Sequence, residues 1–184
     1  MKRLVVFCVA LLLSAGVRAQ DFSLSTNLLG YLNLGTLNME AACAFSRHWS
    51  ATAGVKYNPF SFSSPRTGEQ MQSRQQALAL GARFWPWHIY SGWWVAGKLQ
   101  AQEFNEGGIK DLMTSEGERY GGGLTAGYTH MLHPHLNLEI GFGAWTGWER
   151  FVNYACPVCG AVIDEGEKTF LKPNDILLSL TYVF

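Results

Sequence analysis

The chain has 184 residues, with 14 Lys and Arg against 14 Asp and Glu. It is 48% hydrophobic and 14% aromatic, and only 15% charged. These values exclude a basic nucleic-acid surface, suit a single domain, and leave a large apolar content that must be covered somehow.

The first stretch, MKRLVVFCVALLLSAGVRAQ, reads as a secretory signal peptide over residues 1–19. Lys2 and Arg3 form its basic region, Leu4 to Leu13 its apolar region, and Val17-Arg18-Ala19 its cleavage site. The run is too short to span a bilayer as a helix. Val17 stands where a lipoprotein signal would need Cys, and Cys8 leaves with the signal. The segment carries three basic residues and no acidic one, so the remaining domain, residues 20–184, is mildly acidic.

No later run suits a transmembrane helix. Alternation takes its place, in roughly eight segments of ~10 residues. The first is FSLSTNLLGYL, residues 22–32. The second, LGTLNMEAACAFS, puts Leu37, Met39, Ala41, Cys43 and Phe45 on one face. The third, WSATAGVKYNPF, aligns Ala51, Ala53, Val55 and Tyr57. Leu78, Leu80, Ala82 and Phe84 align in the fourth, SRQQALALGARFW, and Trp93, Val95, Leu99 and Ala101 in the fifth, SGWWVAGKLQAQEF. The sixth, RYGGGLTAGYTHML, turns Leu124, Ala126 and Tyr128 outward, and the seventh, HLNLEIGFGAWTGW, does so with Leu136, Leu138, Ile140 and Phe142. The last, DILLSLTYVF, sets Ile176, Leu178, Leu180, Tyr182 and Phe184 on one face. Half-buried strands of a soluble sandwich would also alternate. Signal peptide and terminal aromatic together favour an all-β, antiparallel, up-and-down transmembrane barrel of the outer membrane, with Tyr182 and Phe184 as its C-terminal assembly signal.

The links follow the same logic. Short ones fall near Arg47-His48, Pro86-Trp87-His88 and His133-Pro134-His135, and long ones near residues 59–72, 104–118 and 152–173. An even strand count puts the short ones, with both termini, on the periplasmic side. Only the first outer link, Gly30 to Asn33, is short. Trp49, Trp85, Trp87 and Tyr90 are expected in a periplasmic aromatic girdle, and Phe60, Phe104 and Trp148 in an outer one.

On the opposite faces Glu40, Lys56, Arg83, Lys98 and Glu139 each fall mid-strand. Charges inside a narrow barrel need partners. The expected network joins Glu40 to Lys56 and Glu139 to Arg83 or Lys98. An eight-stranded barrel is just wide enough for its own side chains, so the network reads as a polar plug rather than the lining of an open channel.

Cys156 and Cys159, in NYACPVCGAVIDEGEK, fall in the last outer link. A local disulfide is the plainest reading. Surface metal capture with Asp164, Glu165 or Glu167, an intermolecular bond, and redox chemistry are the alternatives. His48, His88, His130, His133 and His135 all map to the periplasmic side, far from that pair, so no zinc site within one chain is expected and no cofactor is implied.

Several stretches carry a resemblance in order: STNLLGYLNLGTLNMEAACAF, GVKYNPFSF, ARFWPW, GGGLTAGYTHMLHPHLNLEIGFGAW, YACPVCG and LSLTYVF. Together they resemble a family of outer-membrane barrel proteins from Bacteroidetes that carries only a domain-of-unknown-function label. The likeness spans about residues 23–184 and implies location and fold, with no catalytic residues to carry over. Phe170-Leu171-Lys172-Pro173-Asn174 departs from the family's pattern, which bears on local loop geometry.

The functional expectation is an envelope structural or surface-interaction protein that presents extracellular loops. Its partners would be outer-membrane lipid, the barrel-assembly machinery through the C-terminal strand, and a surface or fimbrial protein, with no nucleic acid. A narrow pore or small-solute carrier is one alternative. A lipid-modifying enzyme is another, but no Ser–His pair is evident beyond His130 with Thr129 beside it.

Overall fold

A computed structural model describes residues 22–63, 70–108, 113–155 and 160–184. The expected signal peptide and the Cys156–Cys159 motif lie outside the described residues.

The chain forms β1 (Phe22–Asn27), a five-residue helix α1 (Leu28–Leu32), β2 (Leu37–Ser46), β3 (Trp49–Asn58), β4 (Ser61–Ser63), β5 (Gln70–Phe84), β6 (Gly92–Gly107), β7 (Thr114–His133), β8 (Leu136–Tyr154) and β9 (Val162–Val183). All nine strands share one antiparallel sheet. Each strand pairs with its neighbour in sequence, β4 being a short extension that runs beside β5 after β3. The sheet returns on itself: Ser23 to Asn27 of β1 pair with Val183 to Ser179 of β9. Hydrogen bonding therefore forms a ring, which leaves one face inside and one outside. No described helix is long and apolar enough to cross a membrane.

The period of two sorts the residues between those faces. Outside stand exposed Leu78, Leu80, Val95, Leu99, Leu124, Ile140, Phe142 and Ile176. Inside, Ser50, Thr52, Arg83, Lys98, Thr129, Glu139, Glu149 and Thr181 are buried. The outer face is apolar, and the inner face is mainly polar beside a few buried aromatics such as Trp85, Trp94 and Trp145, unlike a water-soluble core.

Several sequence expectations need correction. The first segment stops as strand at Asn27, because the Asn27 side chain caps α1 by accepting from the Leu29 N–H at 3.1 Å. The long links shrink. β6 reaches Gly107, β7 starts at Thr114, and β9 starts at Val162 rather than at Asp175. These extensions still alternate, but with charged and polar residues, so no apolar row announces them. Residues 170–174 are strand with a register shift opposite Gly143 and Ala144, not loop. Such a bulge tolerates Pro173, which has no N–H to give the ladder.

The aromatic girdles also change. Trp49, Trp87, Phe60 and Trp148 are exposed, whereas Trp85, Tyr90 and Phe104 are buried inside the ring. Trp85 and Tyr90 close its short-link end with Trp94, at ring separations of 5.8 Å and 6.1 Å from Trp85. Their polar ends are satisfied there: Trp85 Nε1 donates to Ser50 Oγ at 3.2 Å, and Trp94 Nε1 to Thr129 Oγ1 at 3.1 Å.

Candidate functional site

The interior holds two charged clusters stacked along the ring. In the lower one, the Arg83 guanidinium bonds both Glu40 and Glu139, the latter at 2.9 Å. Lys98 reaches the other oxygen of Glu40 at 3.0 Å. The Arg83 plane lies 4.3 Å from the Trp94 ring centroid, which ties the ionic layer to the aromatic closure below it. Lys56 lines a cavity of about 50 Å³ directly beside Glu40, Arg83 and Lys98. Glu40, Arg83, Lys98 and Glu139 thus meet in one cluster with Arg83 shared between the two carboxylates, while Lys56 lines both this cavity and a larger one.

The upper cluster has no counterpart in the sequence reading. Glu149, almost fully buried, accepts from Arg119 Nε at 2.5 Å and Lys172 Nζ at 3.1 Å, with Lys168 at 3.3 Å. Arg119 also donates to Glu106 at 3.0 Å and stacks 3.4 Å from the Phe104 ring centroid. These residues sit at or beyond the ends of the apolar rows, where the strands outrun the alternation of Leu and Phe. Their spacing was the available signal: Lys168, Phe170 and Lys172 hold the period of two.

Arg119, Lys172 and Glu106 of this cluster also line a cavity of about 640 Å³ at the long-strand end. Gln102 Nε2 donates to Gln75 Oε1 at 2.8 Å, and Gln75 Nε2 to Thr36 Oγ1 at 3.2 Å, so the amides on its wall are held in place. One side is low, because β1 ends at Asn27 and β2 begins only at Leu37. Asn27 secures α1 there, with Nδ2 donating to Ile176 O at 3.0 Å and Oδ1 accepting from the Leu178 N–H at 3.1 Å.

On β5 to β9 the outer face has a polar limit that runs across the strands. Gln76, Glu103, Glu118, Arg150 and Glu167 stand directly opposite one another on five successive strands. The next outward row toward the short links is Leu78, Ala101, Tyr120, Trp148 and Thr169. Beyond the limit lies a polar chain, in which Tyr154 and Asn105 both donate to Glu116, at 2.7 Å and 3.0 Å. The Glu116 carboxylate holds the Tyr154 phenol above its ordinary range, chiefly by accepting its proton in that bond.

A family model described as Protein of unknown function (DUF3575) matches residues 4–184. The chain belongs to DUF3575. Comparison with curated proteins and with solved structures found no match. In this DUF3575 chain the histidines do not converge. His48 Nδ1 lies 2.9 Å from Trp85 O and His135 Nδ1 2.8 Å from Val183 O, both at short links. His130 faces outward while its neighbour Thr129 is buried and accepts from Trp94. Cys43 is a free, exposed thiol on the outer apolar row.

Proposed function

We propose that this DUF3575 chain is a transmembrane β-barrel of the bacterial outer membrane, a structural and surface-interaction protein whose long-strand end faces out of the cell. One observation carries the reading: on β5 to β9 the outer apolar rows end at the polar row through Glu118 and Arg150. On β8 the belt's outward row runs from Leu136 to Trp148, and outside it stand Arg150 above and the His133–His135 turn below. Twelve residues of strand at ~3.4 Å each, tilted by about 40°, give a height of roughly 31 Å, about the thickness of a bilayer's hydrocarbon core. The likeness of the last strand to Bacteroidetes barrels points the same way, and Tyr182 and Phe184 are the residues we assign to the assembly machinery.

The ionic layer at Arg83 and the aromatic closure at Trp85 support a plugged interior rather than a pore. Binding then belongs to the rim and to the links above it.

The test is surface labelling of intact cells in a Cys43→Ser background with a membrane-impermeant maleimide, before and after reduction. Label on Cys156 and Cys159 is expected without breaking the outer membrane. Label that requires permeabilised cells would invert the orientation and defeat the proposal. Purified protein in planar bilayers is expected to pass no steady current.

A further inference from the structure

We infer that the cavity at the long-strand end is a binding cup for an acidic sugar, a polyhydroxylated ring bearing one carboxylate or phosphate. The inference rests on the surface-facing reading for its biological access, but the chemistry is that of the cup itself.

The cup is a dead end. Below it the 50 Å³ cavity is too small for a solute, and the Arg83 layer and the Trp85–Tyr90–Trp94 closure follow. At about 640 Å³ it falls within the range that holds small ligands. It is also open at one side. Ser179 to Val183 of β9 pair with β1, whereas residues 162–175 pair only with β8 among the described residues. A ligand attached to something larger could therefore enter across α1 without threading the ring.

The lining sets the ligand class. Its charged residues are Lys56, Arg119, Lys172 and Glu106, and with Glu149 bonded to Arg119 and Lys172 the balance is three cations to two carboxylates. Glu149, which holds Arg119 and Lys172 from behind, fixes their positions without standing among the lining residues. That excess favours an anion. A bare inorganic anion would leave the rest of the wall unused, because the wall is rich in amides: Gln75, Gln100 and Gln102 line it. Amides both donate and accept, which is what vicinal hydroxyls require. The Gln102 Nε2–Gln75 Oε1 bond fixes the rotamer of Gln102, whose Oε1 has no hydrogen-bond partner among the described residues.

The experiment uses the full chain folded in detergent, titrated calorimetrically with glucuronate and with glucose 6-phosphate. Glucose, acetate and inorganic phosphate are the controls. Saturable binding of at least one acidic sugar is expected, about tenfold or more tighter than any control, and weakening as salt rises. Which of the two binds tells a carboxylate ligand from a phosphate one. Lys172→Gln and Gln102→Leu should each weaken it about tenfold while circular dichroism stays unchanged. Glu149 keeps Arg119 and Lys168 in the first variant, so folding should survive. No binding by folded protein, a control binding as tightly, or affinity unchanged in both variants would overturn the inference. Maleimide labelling reports the orientation separately, so a failed cup and a failed surface assignment are distinguishable.

Discussion

Arg83 carries the most consequence of any single side chain. It is buried between two carboxylates and covers Trp94. Arg83→Met leaves Glu139 as an uncompensated buried charge, so a loss of about 3–5 kcal/mol is expected in urea unfolding of the detergent-folded protein. Arg83→Met combined with Glu139→Gln should recover part of that loss. A single variant as stable as the parent would mean the layer is not ionic. Tyr154 offers a second test, outside the apolar belt. Its raised phenol contributes stability that is fully present below the ordinary tyrosine pKa and fades as pH rises through the higher folded value. Absorbance titration near 295 nm should therefore show late tyrosine ionisation, one tyrosine's share of which Glu116→Gln returns to the ordinary range. At this scale the sequence was legible wherever a lone charge fell mid-strand on the face opposite an apolar row, as at Glu40 or Glu139. It was silent at Glu149 and Arg119, because charged neighbours such as Arg150 and Glu118 hid the difference between inward and outward positions.

Among the elements, the backbones of β7 and β8 approach closely at a pair of glycines. Gly121 and Gly147 face each other inside the ring, and a Cβ on Gly147 would stand 1.9 Å from the Tyr120 carbonyl oxygen. That contact is with backbone, which cannot swing aside. Gly147→Ala should destabilise the fold by about 1–3 kcal/mol and raise hydrogen exchange at residues 119–123, and an unchanged exchange pattern would contradict the close approach. Strand faces were readable from the period of two: every apolar row foreseen between Leu37 and Phe142 faces outward. Strand ends were not, since DEGEKTFLK alternates in charge rather than hydropathy. The helix α1 was missed because LLGYL continues an apolar run, and only the Asn27 cap marks the change of backbone. Trp85, Tyr90 and Phe104 were misplaced because an aromatic at a strand end suits a girdle and a closure equally well.

Over the whole molecule, the distribution of polarity is inside out around a closed sheet, and the proposed membrane setting makes this measurable. Phe142→Arg, near the middle of the belt, is expected to lower stability in lipid vesicles by about 2–4 kcal/mol, and Glu103→Arg, on the polar row, by less than about 1 kcal/mol. Equal and negligible effects would fit a protein in water and sink the barrel proposal. Ring closure itself rested on no local sequence signal, because it joins Ser23 to Val183.

That seam has a kinetic meaning. β8 and β9 lie side by side almost throughout, from Leu136↔Tyr182 to Tyr154↔Val162, whereas β1 meets β9 over five residue pairs. The hairpins can form early from near neighbours in sequence, but the seam requires segments from opposite ends of the described chain to find each other, and it gains few bonds for that search. An open, curled sheet with β1 and β9 unjoined is thus the natural last intermediate. Its two bare edges, apolar on one face, are what a folding catalyst would have to hold until they meet.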